Sequence, residues 1–196
     1  MSTAAQKARL TYAEYVAMEE TSEGRQEFFD GEAFAMAGGT PEHSRLATVV
    51  SASLEAQRSG GACVAFNADL HVHTPSGFGA YPDVTVVCGK LERHSESPRS
   101  VTNPTLVVEV LSESTESFDR EGKFKHYRSI ESFREYVLVS YREPLIESHL
   151  RNADGSWNTT FAGPGETLTL RSVGARLDVD AIYAGMTAVD GRMRLA

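Results

Sequence analysis

The feature that most constrains this fold is one acidic residue inside an apolar run, Leu106-Val-Val-Glu-Val-Leu111. A run this apolar and this rich in β-branched residues predicts a central strand with both faces buried. Burying Glu109 without a partner would cost considerable free energy. Glu109 therefore has two interpretations. Either it lies at the frayed end of the strand and pairs with a lysine or arginine, or it points into a cleft, where it ligates a metal ion or abstracts a proton.

Local signals in the first part of the chain predict two helices and a hairpin between them. A capping box that begins at Thr11 opens a short amphipathic helix. An Asp-Gly turn signal at Asp30 lies between two apolar runs and predicts a β-hairpin. Thr40, followed by a proline, starts the second helix, which Gly60-Gly61 is expected to end.

The rest of the chain predicts a sheet with one more long helix. Alternating patterns predict strands near 63–74 and 83–88, and a helix is expected from about Ser117 to Ser129. The C-terminal part resembles an antiparallel meander with a clear turn at Asp154. This order of elements predicts an α/β protein with a mixed central β-sheet, flanked by helices and followed by an antiparallel C-terminal meander.

Length and composition indicate a globular protein. The 196 residues, 41% of them apolar, are typical of a single domain over 1–196, with a core at about 10–186. No stretch approaches the ~20 apolar residues of a membrane helix, and the first residues lack the apolar segment of a secretory signal. The two cysteines, Cys63 and Cys88, are too few for a disulfide scaffold and lack zinc-ligand spacing. We therefore expect a cytoplasmic protein in a reducing compartment, without membrane association.

The net charge limits the mode of nucleic-acid binding. The formal charge is −8 at neutral pH, whereas tight non-specific binding of nucleic acid depends on neutralising phosphates with basic residues. A divalent cation held by acidic residues could reverse the charge locally. The placement of individual acids therefore matters more than the overall charge.

Asp83 is the second candidate acid. Pro82-Asp83 opens an apolar strand, and a proline is tolerated at a strand start because it donates no hydrogen bond to the ladder. Taken alone, Asp83 is equally well explained as a turn residue. Two carboxylates on adjacent central strands, however, are hard oxygen ligands that suit Mg²⁺ or Mn²⁺.

A lysine-bearing helix supplies the third element. Asp119, Lys123 and Tyr127 recur every fourth residue and share one helical face. One interpretation is a solvated salt bridge between Asp119 and Lys123. The other places the Lys123 ammonium over the carboxylate pair, where it orients a water or stabilises negative charge on a phosphate.

Three further side chains are candidates for supporting roles. His43 falls in the first turn of the second helix and is either a surface residue or a proton carrier and substrate contact. Glu27 and Glu32 lie on opposite arms of the predicted hairpin. Either could supply an outer contact to the site, and the sequence does not choose between them.

These residues together have a recognisable order. A carboxylate after proline at a strand start, an acid within an apolar strand and then a lysine resemble the pattern of the PD-(D/E)xK nuclease superfamily. More narrowly, the chain resembles the Uma family of restriction-endonuclease-like proteins over about 10–186. The matching segments are 27–32, His43, 82–87, 104–112, 114–127 and 135–139. One position departs from the general superfamily pattern, because Leu111 stands where the lysine is expected; the family places that lysine on the following helix, which fits Lys123.

The resemblance implies a restriction-endonuclease-like core and a metal site. It implies that Asp83, Glu109 and the backbone carbonyl of Val110 bind Mg²⁺ or Mn²⁺, and that Lys123 and His43 assist metal-dependent hydrolysis of DNA phosphodiester bonds. A homodimer is expected by analogy with nucleases that cut both strands. Two alternatives stay open: a non-catalytic binding or regulatory module that keeps the fold, and a hydrolase of small phosphoesters.

Overall fold

The computed structural model describes residues 9–36, 38–57 and 62–196. The helices are α1 (Tyr12–Thr21), α2 (Pro41–Ala56), α3 (Phe124–Tyr127) and α4 (Val179–Ile182), and a π-helix at Phe118–Lys123 runs directly into α3. The strands are β1 (Gln26–Phe29), β2 (Glu32–Ala35), β3 (Cys63–Asn67), β4 (His71–His73), β5 (Gly79–Ala80), β6 (Val84–Cys88), β7 (Ser100–Val101), β8 (Leu106–Val110), β9 (Glu135–Val139), β10 (Ile146–Arg151), β11 (Trp157–Ala162), β12 (Thr167–Leu170), β13 (Ala175–Asp178), β14 (Met186–Val189) and β15 (Arg192–Leu195).

The main sheet has six strands in the order β11-β10-β9-β8-β6-β3. Strands β8 and β9 are parallel, and the other neighbours are antiparallel. All five residues of β8 are buried, as the apolar run predicts. Side chains alternate along a strand, so Val108 and Val110 face the core that contains α2, whereas Val107 and Glu109 face the other side. Glu109 is therefore a buried acid on the aromatic face of the central strand.

A second sheet carries the N-terminal hairpin in the order β2-β1-β5-β4-β7. The capping box at Thr11 is present at the start of α1, and the Thr40 side chain caps α2. Asp30 and Gly31 both have positive φ, 50° and 78°, in the turn between β1 and β2, as a type I′ hairpin requires. These three local predictions are confirmed because each depends on neighbouring residues alone.

Two elements differ from the sequence prediction. The expected strand at 63–74 is divided into β3 and β4, which lie in different sheets, because a turn closed by the Leu70 amide and the Asn67 carbonyl separates them. The helix expected from Ser117 to Ser129 begins as a π-helix. Gly60-Gly61, expected to end α2, lies outside the described residues.

The C-terminal part is antiparallel, as predicted. Strands β9, β10 and β11 form a meander, and β12–β13 and β14–β15 form two-stranded ribbons. The architecture is therefore mixed α/β with an antiparallel C-terminal half. Within the described ranges, no helix has the length and apolar character needed to cross a bilayer.

The cysteines provide a correction to the expectation of a chain without structural disulfides. Cys63 on β3 and Cys88 on β6 are directly opposite each other in the antiparallel ladder and are bonded, with their Cα atoms 3.9 Å apart. The bond is possible because register places the two side chains on the same face of neighbouring strands. Spacing along the chain does not reveal such a register.

Candidate active site

Lys123 is the centre of a buried cluster of acids. Its Nζ lies 3.0 Å from Asp119 Oδ1, 3.1 Å from Glu27 Oε1 and 3.3 Å from Glu109 Oε1. The lysine side chain is 7% exposed, and those of Glu109 and Asp119 are 4% and 2% exposed. The sheet supplies Glu109, the hairpin supplies Glu27, and the π-helix supplies the other two residues. Three separate parts of the chain therefore converge on one ammonium group.

The protonation of Lys123 follows from these neighbours. Burial lowers the pKa of the ammonium, but the adjacent carboxylates outweigh burial and hold the pKa of Lys123 well above its usual value. Thr115 fixes one of those carboxylates, because its hydroxyl donates to Asp119 Oδ2 at 2.6 Å. The cluster thus keeps a permanent positive charge in a mainly acidic environment.

Glu109 is held from two sides. Lys123 contacts its Oε1 atom, and the buried Tyr127 hydroxyl donates to the same oxygen at 3.0 Å. Burial raises the pKa of Glu109 well above its usual value; Lys123 opposes this effect, and the nearby Asp119, Asp83 and Glu27 reinforce it. An additional cation would favour the ionised form of this carboxylate.

Asp83 and His43 form the other half of the site. Asp83 Oδ2 accepts a hydrogen bond from the Val110 amide at 2.7 Å and lies 3.3 Å from His43 Nε2. Burial lowers the pKa of His43, but the contacts with Asp83 and a hydrogen bond to the Val110 backbone outweigh burial. The pKa of His43 therefore lies above its usual value. The pair therefore places a protonatable ring directly on the Asp83 carboxylate, beside the end of β8.

Most of the residues singled out by the sequence meet here. They are Glu27, His43, Asp83, Glu109, Val110, Asp119, Lys123 and Tyr127. Glu32 does not join them, because it is exposed on β2 opposite Phe29. Glu32 shares the hairpin face of Glu27 but lies beside the turn, so only Glu27 reaches Lys123.

Two details of the sequence interpretation are wrong. The Asp119–Lys123 pair is buried rather than solvated. Lys123 also contacts only one of the two strand acids, Glu109, while Asp83 pairs with His43. Glu109 is not at a frayed strand end, because all of β8 is buried. It does pair with a lysine, Lys123, as the first interpretation of Glu109 expected.

Sequence reasoning gave no role to two residues that order the site. Thr115 binds Asp119 from one turn earlier, and the buried Tyr136 hydroxyl donates to the Asp119 carbonyl at 2.9 Å. The four-residue spacing of Thr115 and Asp119 was available as a signal. Tyr136 lies on β9, and only the tertiary structure brings it to the helix.

The donor atoms fit a hard cation with few protein ligands. In the described part of the chain, no three His, Cys, Asp or Glu side chains are arranged to hold a metal ion by themselves. Mg²⁺ commonly binds through one or two carboxylates and keeps several waters. Asp83 and Glu109 are two carboxylates of the type that Mg²⁺ uses, and the described residues hold no closed set of zinc ligands.

Comparison with known proteins places this chain in a family. A family model described as "Uma2: Putative restriction endonuclease" matches residues 12–180. The chain belongs to the Uma2 family. The matched Uma2 segment contains every residue of the cluster described above, from Glu27 to Tyr127.

Curated relatives of this Uma2 chain come from Synechocystis sp. The uncharacterized protein slr1290 is 36% identical over 179 residues, which cover 91% of this chain and 93% of the relative. The uncharacterized protein sll1609 is 34% identical over 154 residues, which cover 77% of this chain and 86% of the relative. The similarity therefore extends over more than three quarters of this chain in both comparisons.

A solved structure confirms the fold. A protein from Anabaena variabilis, described as "a putative nuclease belonging to DUF820", superposes with a TM-score of 0.68 and covers 83% of this chain and 92% of its own. The two sequences are 13% identical, so the likeness concerns the fold alone. The Uma2 chain thus has the restriction-endonuclease-like fold that its sequence resembles.

Proposed function

We propose that this protein is a Mg²⁺-dependent endonuclease that hydrolyses DNA phosphodiester bonds through a PD-(D/E)xK-type site. The observation that carries the proposal is the buried Lys123 ammonium beside Glu109 on the central strand. A structural ion pair would need one carboxylate, whereas here Lys123 has three within 3.3 Å. Such surplus acidity in a buried site is typical of a site that takes up a cation.

Asp83 and Glu109 would hold Mg²⁺ or Mn²⁺, with the Val110 carbonyl as a further oxygen ligand. When bound, the ion would supply Lewis acidity toward the phosphoryl group. Asp83 is fixed for this role by the Val110 amide, and Glu109 by the Tyr127 hydroxyl. Tyr127 would act as a positioning residue, because its hydroxyl donates to Oε1 of Glu109, the oxygen that Lys123 also contacts.

Lys123 and His43 would act on the substrate. Lys123 stays protonated because its carboxylate neighbours raise its pKa, so its ammonium can stabilise the negative charge that develops on a phosphate. Glu27 and Asp119 hold that ammonium in place. His43 can carry a proton at Nε2, since its contacts with Asp83 raise its pKa, and it can deliver that proton to a leaving group.

The proposal also covers the substrate class, the oligomeric state and the location of the protein. DNA is the substrate class that the family description favours. A homodimer is proposed by analogy with nucleases that act as dimers, and a cytoplasmic location is proposed from the sequence. Size-exclusion chromatography with light scattering tests the dimer directly.

The test is cleavage of supercoiled plasmid DNA and of single-stranded circular DNA with Mg²⁺, followed on gels. Wild type should cut, and EDTA should abolish cutting. Asp83→Asn and Glu109→Gln should each slow cleavage by about a hundredfold or more, as expected when several kcal/mol of transition-state stabilisation are lost. The matched controls are Asp69→Asn, an exposed acid, and Glu121→Gln, an exposed acid on the π-helix; both should cut at the wild-type rate.

Thermal melting with Mn²⁺ separates the alternatives. Wild type should gain about 2.7 kcal/mol at a hundred times Kd, and Asp83→Asn should lose that gain. Metal-dependent stabilisation without DNA cleavage would favour a hydrolase of small phosphoesters. Neither stabilisation nor cleavage would favour a non-catalytic module that keeps the nuclease fold.

A further inference from the structure

Exposed aromatic rings border the candidate active site. Phe29, Phe34 and Phe118 are 37%, 48% and 41% exposed, and we call these three residues the aromatic patch. Large exposed apolar side chains scattered singly need no explanation, but a local concentration of them marks an interaction surface. In the described residues, seven large apolar side chains are exposed, and three of them are these phenylalanines.

The hairpin places two of these rings beside the site. Glu27 pairs with Phe34 across β1 and β2, and Phe29 lies two residues after Glu27. Directly opposite residues and residues two apart share one face of a sheet. Phe29 and Phe34 therefore lie on the same face of the hairpin as Glu27, whose carboxylate contacts Lys123.

The π-helix supplies the third ring. Phe118 immediately precedes Asp119, which is also a neighbour of Lys123. Phe29 and Phe118 each meet the buried Phe78 edge to face, with ring centroids 6.2 Å and 6.0 Å from it. Phe78 thus packs against both exposed rings, one on the hairpin and one on the π-helix, and holds them near each other.

We propose that the aromatic patch stacks against unpaired nucleobases, and that the substrate is single-stranded DNA or a locally melted segment. The inference rests on the proposed function, since it names the form of nucleic acid that the nuclease site accepts. Every base has a π-face, so aromatic side chains hold single strands without reading their sequence. In an intact duplex the faces are already stacked and cannot reach the rings.

The net charge gives no electrostatic attraction to a DNA backbone, whether single- or double-stranded. With a net charge of −8 and an acidic site, the protein cannot rely on neutralising phosphates. Stacking supplies affinity that does not depend on positive charge. Two residues of the patch adjoin the Lys123 cluster, because Phe34 pairs with Glu27 across the hairpin and Phe118 directly precedes Asp119.

Binding of short labelled oligonucleotides, measured by fluorescence anisotropy in Ca²⁺ and checked for intact strand afterwards, tests the proposal. Wild type should bind a single strand at least tenfold more tightly than the duplex of the same sequence. Phe34→Ala and Phe118→Ala should each weaken single-strand binding by roughly 5- to 100-fold. Phe34→Tyr keeps a ring and should bind as wild type does. Phe161→Ala, which removes a 60%-exposed ring on β11, is the matched control and should have no effect.

Each outcome decides between named alternatives. Equal affinity of wild type and Phe34→Ala for the single strand, or tighter binding of the duplex, would overturn the proposal. Loss of self-association in Phe34→Ala with unchanged oligonucleotide binding would assign the patch to a second copy of this chain. Binding that depends on the patch, without cleavage, would support the stacking surface and contradict the proposed nuclease activity. Cleavage that the patch variants do not change would support the nuclease activity and contradict the stacking surface.

Discussion

Lys123 Nζ lies 3.3 Å from Glu109 Oε1, although the two residues belong to different elements and are 14 positions apart. The position two residues after Glu109, where the general superfamily pattern has lysine, holds Leu111. Leu111 is 1% exposed within the aromatic core cluster, where it packs near Tyr127 and Tyr136. The site therefore obtains its ammonium from the helix, because the strand position is used for packing.

Glu109→Gln should stabilise the metal-free protein at neutral pH by about 1 kcal/mol or more, since it removes a buried charge and keeps the shape. The pKa of Glu109 is raised above its usual 4.5 by burial and by neighbouring acids. Wild type therefore loses stability as pH rises from about 4.5 toward the folded-state pKa, whereas the variant does not. Urea unfolding in EDTA at several pH values measures the difference. A variant that is less stable than wild type at neutral pH would contradict this account of Glu109.

Lys123→Ala should destabilise the metal-free protein by about 3–5 kcal/mol, because it leaves buried carboxylates without their cation. The matched control is Lys125→Ala on the same helix, where the side chain is exposed and the change should be within about 0.5 kcal/mol. Urea unfolding in EDTA compares the two variants, and added Mn²⁺ should stabilise Lys123→Ala by more than it stabilises Lys125→Ala. Equal unfolding midpoints for the two variants would mean that Lys123 is dispensable to the cluster.

Tyr127→Phe should lower Mn²⁺ affinity and cleavage while costing about 1 kcal/mol of stability, since it removes the hydroxyl that donates to Glu109. Tyr183→Phe is a matched control: that buried hydroxyl donates to the Ser140 carbonyl at 2.7 Å, away from the cluster. Both variants should unfold slightly earlier, but only Tyr127→Phe should change metal titrations followed by thermal melting. Wild-type metal affinity in Tyr127→Phe would reduce its role to packing.

Reduction of the Cys63–Cys88 bond should lower stability by about 3 kcal/mol, because the bond closes a loop with a sequence separation of 25. Thermal melting with and without a reductant should show a shift for wild type. The double variant Cys63→Ser/Cys88→Ser should melt near the reduced protein and not respond to the reductant. An unchanged midpoint in wild type whose two thiols titrate as free after reduction would contradict this prediction, because the loop would then be equally constrained without the bond.

Predictions from the sequence succeeded where the cause is local. The Thr11 capping box, the Asp30 turn and the Thr40 cap each involve residues within a few positions of one another. Such features can be predicted from the sequence alone. The burial of β8 followed from its unbroken apolar pattern. Glu109 stood out for the same reason, as the one charge in that run.

The choice between Glu27 and Glu32 needed the tertiary structure. The two acids lie on paired strands of one hairpin and share one face of it, so alternation along the strands does not separate them. Their positions along the strands do: Glu27 lies farther from the turn and meets Lys123, whereas Glu32 begins β2 beside the turn and is exposed. The same limit applies to Cys63 and Cys88, whose bond depends on a cross-strand register.

The sequence by itself singled out the residues that meet in the candidate site, because burying an unpaired acid in an apolar strand costs considerable free energy. It also determined the local elements that bear them. Only the tertiary structure decided how the charges are shared, with Lys123 bound to Glu109, Glu27 and Asp119 while Asp83 pairs with His43. The physical reason is that electrostatic energies depend on distances of a few ångströms between distant segments, and those distances are set by packing rather than by order along the chain.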